Sequence, residues 1–129
     1  MITDKFNEET GIAEAFLTGV ITMPEILDWF STLTPERFKV QEFKMLSDAS
    51  EVDYQFGIDQ LDYSYQAIGD LCRRFTRVRI AVVHSHARGT AYSEIVINKS
   101  DFPNYTQKIF SERATAMAWL MRGGDSDKL

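Results

Sequence analysis

The stretch His84-Ser85-His86-Ala87-Arg88-Gly89-Thr90 holds both histidines of the chain next to an arginine and two hydroxyls. Imidazoles two positions apart can exchange protons near neutral pH and, with a third ligand, can hold a metal. Arg88 and the backbone N–H groups at the start of a following helix can seat a carboxylate or a phosphate. The stretch follows a buried strand, and open α/β sheets bind ligands at such strand ends. The plainer alternative is a solvated loop whose histidines cap or bridge backbone groups.

A second group lies upstream. Asp48, Ser50 and Asp53 supply carboxylates and a hydroxyl that could pair with His84 for acid–base or nucleophilic work. No Gly-x-Ser-x-Gly elbow accompanies them, and Asp and Ser also fill loops because they form local turns. A metal would need a third ligand such as Asp48, and none is expected. The single cysteine, Cys72, falls on the apolar stripe of a helix and reads as a buried, inert thiol. Arg73, Arg74, Arg77 and Arg79 form a basic cluster at a helix end, where the macrodipole favours cations. The same cluster could dock an acidic protein or a membrane surface. Arg79 is expected to pair with an acidic residue of the N-terminal hairpin.

The elements that must position these groups follow from patterning. Met1–Phe6 and Ile12–Gly19 read as an antiparallel hairpin around the polar turn Asn7–Gly11. Thr22-Met23-Pro24-Glu25 has the form of a capping box, with proline in the first turn. Ile26, Trp29, Phe30 and Leu33 continue it as a helix, which Thr34-Pro35 stops. Residues 36–41 read as a connection, Val40–Leu46 as a third strand and Ser47–Tyr54 as a polar loop. Ile58, Leu61, Tyr65, Ile68, Cys72 and Phe75 then form one helical stripe. Val78, Ile80, Ala81, Val82 and Val83 make Val78–Val83 a nearly continuous apolar run, as in a strand covered on both faces. Residues 90–99 fit helix or strand, and the alternation favours helix. Tyr105–Phe110 reads as a strand. Ser111 then caps a last helix whose Ala116, Met117, Leu120 and Met121 face inward, ended by Gly123-Gly124. The order β-β-α-β-α-β-α-β-α predicts an α/β domain with parallel neighbours and one antiparallel edge.

Length and charge bound the function. At 129 residues, the chain fits one domain, expected over 1–124 with a loose tail at 125–129. Its net charge of −5 argues against nucleic-acid binding, which needs a basic face. Residues 1–62 carry 13 acidic and 4 basic side chains, and residues 63–129 carry 6 acidic and 10 basic. Much of this asymmetry is explained by Asp59 and Asp62 at one end of a helix and Arg73, Arg74 and Arg77 at the other. The start Met1-Ile2-Thr3-Asp4-Lys5 lacks a signal-peptide pattern, and no apolar run approaches membrane-spanning length. A cytoplasmic location is the expectation, with peripheral membrane contact or a homodimer left open.

Four segments together resemble the SpoIIAA-like branch of the STAS superfamily. They are Gly19-Val20-Ile21-Thr22, Met45-Leu46-Ser47-Asp48, Arg79-Ile80-Ala81-Val82-Val83 and Ala116-Met117-Ala118-Trp119-Leu120, spanning Ile12 to Leu120. The resemblance implies a mixed sheet of four or five strands, about four helices and no cofactor. It points to the segment after the third strand and the start of the next helix, where partner-switching STAS proteins carry a phosphorylated serine. Asp48 matches the family's strand-ending aspartate. The serine expected about nine residues on falls at Phe56-Gly57-Ile58, where there is none, and Ser50 lies too early. The resemblance therefore implies a non-enzymatic, regulatory module acting through protein contacts or a small ligand, without the usual phosphorylatable serine. Asp48, Ser50, His84, His86, Arg88 and Thr90 are its expected contact residues. A lipid or other apolar ligand is the alternative, because the CRAL-TRIO domains share the fold. A small hydrolase or isomerase using Asp48, His84 and His86 comes third.

Overall fold

A computed structural model describes residues 1–122. The expected end of the last helix at Gly123-Gly124 and the tail at 125–129 lie outside the described residues. Strand β1 (Ile2–Asn7) pairs antiparallel with β2 (Ile12–Ile21). The turn between them closes because Gly11 takes φ +71° and donates to the Asn7 carbonyl at 2.8 Å, a left-handed conformation natural to glycine. The strands β3 (Glu42–Tyr54), β4 (Arg77–Val83) and β5 (Tyr105–Phe110) follow in spatial order, and every pair after the hairpin is parallel. This is the expected mixed sheet with one antiparallel edge, and β4 is its buried, parallel interior strand.

Sequential order with right-handed crossovers puts all crossover helices on one face. These are α1 (Met23–Ser31), the short α2 (Pro35–Phe38), α3 (Leu61–Arg74) and α4 (Ala87–Lys99). Phe43, Met45, Ile80 and Val82 pack there beneath Ile26, Ile68, Leu71 and Val96. The last helix, α5 (Arg113–Met121), covers the opposite face, where Ile12, Leu46, Ala81 and Val83 meet Ala116, Trp119 and Leu120. Buried Arg79 joins this second layer: it lies 4.3 Å from the Trp119 ring centre and donates to the Trp119 and Leu120 carbonyls.

Several local expectations need correction. The segment Ser47–Tyr54 is not a loop; β3 runs through it. Strand β2 pairs Phe16 with Asp48 and Thr18 with Glu51, so Ala49 and Ser50 together oppose Leu17. This bulge shifts the side-chain alternation by one residue, which leaves Ala49, Val52 and Tyr54 all facing the helices. The connection at 36–41 contains α2, whose start is capped by the Thr34 hydroxyl. Thr22 occupies the N-cap of α1 but makes no side-chain capping bond, so the capping box is not formed. Glu112, not Ser111, holds the N-cap position of α5. Ile58 lies on a 3-10 turn ahead of α3 and is exposed, and Met121 is exposed too. Residues 90–99 are helical, as the alternation favours.

The arginine cluster is largely structural. Arg74 donates to the Phe30 and Leu33 carbonyls at the end of α1, and Arg73 pairs with Asp70 on its own helix. No helix among the described residues is long and apolar enough to cross a membrane.

Candidate functional site

Strand β4 ends at Val83, and the chain turns within three residues into α4. His86 is extended (φ −136°, ψ 154°) and caps the helix, its Nδ1 accepting the Gly89 N–H at 3.0 Å. Because Nδ1 accepts, a neutral His86 ring carries its proton on Nε2, which is buried without a hydrogen-bond partner among the described residues. Thr90 tightens the same turn, both its N–H and its hydroxyl donating to the His86 carbonyl at 3.3 Å.

His84 is only 3% exposed. Its Nε2 lies 2.7 Å from the Ser93 hydroxyl, and its Nδ1 has no well-formed hydrogen bond. Burial pulls the imidazole down to about 4; proximity to His86 adds to the effect, and the Ala49 backbone opposes it. The two rings sit 6.0 Å apart, centre to centre. A Cβ on Gly89 would lie 2.6 Å from His84 Nδ1 and 2.8 Å from His86 Cε1. Glycine is there for close approach, not for turn geometry.

The other sequence-predicted residues divide between the two faces of the sheet. Asp48 points to the α5 side, where one carboxylate oxygen accepts from Arg113 at 3.3 Å. The other takes the Ser50 N–H at 3.1 Å and the Ser50 hydroxyl at 2.7 Å, which fixes the bulge. Arg113 also pairs with Glu14 and lies over the Phe16 ring. Asp48 is thus across the sheet from the imidazoles and does not join them as a third ligand or acid. Ser50 does reach the junction, through its carbonyl, which accepts from the Ser85 hydroxyl at 2.5 Å. Arg88 lies in the first turn of α4, and its side chain is outside the described residues. No group of three or more His, Cys, Asp or Glu is placed to hold a metal among the described residues. Cys72 is buried, which pushes its thiol up to about 11 against the opposing pull of Arg73.

A cavity of about 110 Å³ lies between the sheet and the α1, α3 and α4 layer. Its walls are mainly Leu17, Ile26, Met45, Ile68, Ile80 and Val96, with Trp29, Phe30, Phe56 and Tyr92 as aromatic lining. Six polar residues also line it: Ser47, Tyr54, Ser64, Ser93, Tyr105 and Gln107. Ser93 is held by His84, Tyr105 donates to Gln107, and Ser64 reaches Met23 Sδ at 3.5 Å. No hydrogen bond joins the hydroxyls of Ser47 and Tyr54 to another described residue, and neither oxygen is among the fully buried unpaired atoms. Reading the sequence as loop and helix surface missed Tyr54, Ser47 and Ser93. The available signal was the spacing Met45, Ser47, Ala49, then Val52, Tyr54, which is one strand face interrupted by a single-residue slip.

No family model matches the chain, and a search of curated proteins finds no match. Among solved structures, the chain is similar to an uncharacterised protein from the DUF3478 family with a SpoIIAA-like fold, from Shewanella loihica PV-4. The identity is 15%, the TM-score is 0.62, and the match covers 93% of this chain and 92% of that one. The fold is SpoIIAA-like.

Proposed function

We propose that this domain is a binding module without catalytic activity, and that it holds one small, mainly apolar molecule between its sheet and the α1, α3 and α4 layer. The cavity carries the reading. Its volume, about 110 Å³, approaches the roughly 150 Å³ at which an apolar cavity takes up benzene. It is well short of the roughly 300–1,000 Å³ of drug-sized sites. That scale favours a ring-sized occupant over a long acyl chain. The absence of catalysis rests on two arrangements. Asp48 is engaged by Ser50 and Arg113 on the far face, and burial leaves His84 a weak proton acceptor.

The junction residues His84, His86 and Thr90, with Ser50 opposite Ser85, serve in this reading to hold the first turn of α4. The following turn carries Tyr92 and Ser93 into the cavity wall. Asp48 acts one step further out, by fixing the bulge that turns Tyr54 inward.

Toluene titration followed by methyl NMR tests the proposal. Saturable shifts confined to Ile68, Ile80, Val82 and Val96 are expected. Shifts only at the exposed Val20 and Ile58, or none up to the solubility limit, would refute it.

A further inference from the structure

Ser47 is 5% exposed and Tyr54 is 9% exposed. Both residues line the cavity, and neither hydroxyl bonds to another described residue. Neither oxygen is among the fully buried unpaired side-chain atoms, so each keeps accessible surface through which it can bond a ligand. The other polar groups of this wall are engaged by His84, Gln107 and Met23, so the open hydrogen-bonding capacity is concentrated at these two oxygens. The wall is otherwise apolar, and no charged side chain lines it among the described residues. Burial pushes the phenols of Tyr54 and Tyr105 above their ordinary value, so both remain neutral hydroxyls across the physiological range.

We infer that the cavity is built for an uncharged, ring-sized molecule bearing one hydroxyl or carbonyl oxygen, which Tyr54 and Ser47 bind. This rests on the cavity being the ligand site, and it adds the chemistry of recognition. A hydroxyl can donate or accept, so either ligand group satisfies the pair. A carboxylate entering the same space would lose its hydration with no cation among the described lining residues to replace it, a cost that neutral hydroxyls offset poorly. An unsubstituted hydrocarbon would fill the volume but leave both hydroxyls unsatisfied.

The neighbouring packing holds this arrangement in place. The Tyr54 ring stacks against Tyr92 at 6.0 Å and meets Phe56 at 5.1 Å and the His84 ring at 6.2 Å. Tyr92 is itself tied to the main chain, its hydroxyl donating to the Phe56 carbonyl at 3.1 Å. Ser47 lies on β3 opposite Val82 of β4, inside the sheet, where its position is set by the ladder. The Tyr54 ring and the Ser47 backbone are therefore in place before any ligand arrives, which reduces the ordering cost of binding.

Calorimetric titration with benzyl alcohol, toluene and benzoate separates the possibilities, using the intact chain and its Tyr54→Phe and Ser47→Ala variants. Benzyl alcohol should bind several-fold more tightly than toluene, in line with one or two added hydrogen bonds, and at least tenfold more tightly than benzoate. Tyr54→Phe, which keeps the ring, should reduce the preference for the alcohol over toluene while leaving toluene affinity nearly unchanged, and Ser47→Ala should act in the same direction. Toluene binding as tightly as the alcohol, or an alcohol preference that survives both substitutions, overturns the inference while the cavity remains a ligand site. Benzoate binding most tightly overturns it too, and loss of that preference in Arg88→Ala would move recognition to Arg88. No binding by any of the three overturns the underlying function together with the inference.

Discussion

His84 Nε2 lies 2.7 Å from the Ser93 hydroxyl, a bond that ties the end of β4 to the middle of α4 at the cavity wall. The ring is buried, and its other nitrogen has no well-formed partner. Protonation therefore places a charge where little can solvate it.

A pH dependence of stability follows. Burial lowers the ring from 6.5 to about 4 in the folded chain, so the unfolded chain takes up the proton first as pH falls. The stability linked to this group is fully present above about pH 6.5 and is lost progressively as pH falls toward 4. At roughly 1.4 kcal/mol per pH unit, the loss is at most about 3.5 kcal/mol. Urea unfolding at pH 7 and pH 4.5 should show a steeper decline for the unaltered chain than for His84→Gln. Parallel declines would mean that this ring does not control acid sensitivity.

Gly89→Ala tests the packing of the two imidazoles. The added methyl would meet His84 Nδ1 at 2.6 Å and His86 Cε1 at 2.8 Å. Overpacking of this kind costs about 1–3 kcal/mol, while alanine gains at most about 1 kcal/mol over glycine as a helix former. Net destabilisation is expected in thermal melts. A raised melting temperature would show that the rings swing away freely.

Ile68→Ala tests the core under α3. Ile68 is 3% exposed on the helix face that covers the sheet, and such truncations cost about 2–5 kcal/mol. Because Ile68 also lines the cavity, the variant should retain toluene binding or strengthen it as the space grows. An unchanged melting temperature would place the α3 stripe outside the core.

The elements that the sequence made legible are those whose patterns stay in phase. Apart from Arg79, Val78–Val83 is apolar because β4 is covered by α3 and α4 on one side and α5 on the other, and no competing period disturbs the pattern. The α3 stripe holds from Leu61 to Phe75 for the same reason and departs only at Ile58, before the helix proper begins. Strand β3 was hidden by its bulge: Ser47 and Ala49 share a face with Val52 and Tyr54 only after a one-residue slip. The polar residues there suggested a loop, yet Asp48 and Ser50 bond to each other as part of a strand. The site was half legible. The sequence picked out the β4–α4 junction, but chain position alone does not tell which sheet face a side chain takes, so Asp48 was grouped with His84 when Arg113 holds it on the other side. Ser93 carries no local signal, since its partner is nine residues away across a turn.

The unpartnered Tyr54 hydroxyl gives the last prediction, which sets stability against binding. A hydroxyl that makes no hydrogen bond within the protein adds little to the folded state, and its removal without change of shape can be neutral or stabilising. Tyr54→Phe should therefore leave the melting temperature of the ligand-free protein unchanged or raise it. Tyr92→Phe removes a hydroxyl that donates to the Phe56 carbonyl at 3.1 Å, and should cost about 1–2 kcal/mol. The two tyrosines stack on each other at 6.0 Å, so the pair compares similar rings in one aromatic cluster with different hydrogen bonding. Benzyl alcohol should then stabilise the unaltered chain by more than it stabilises Tyr54→Phe, because a ligand raises stability according to its affinity for the folded state alone. Differential scanning calorimetry with and without the alcohol measures both effects. A Tyr54→Phe variant that melts well below the unaltered chain would show that the hydroxyl has a structural partner, and its place as the ligand-binding oxygen would be lost.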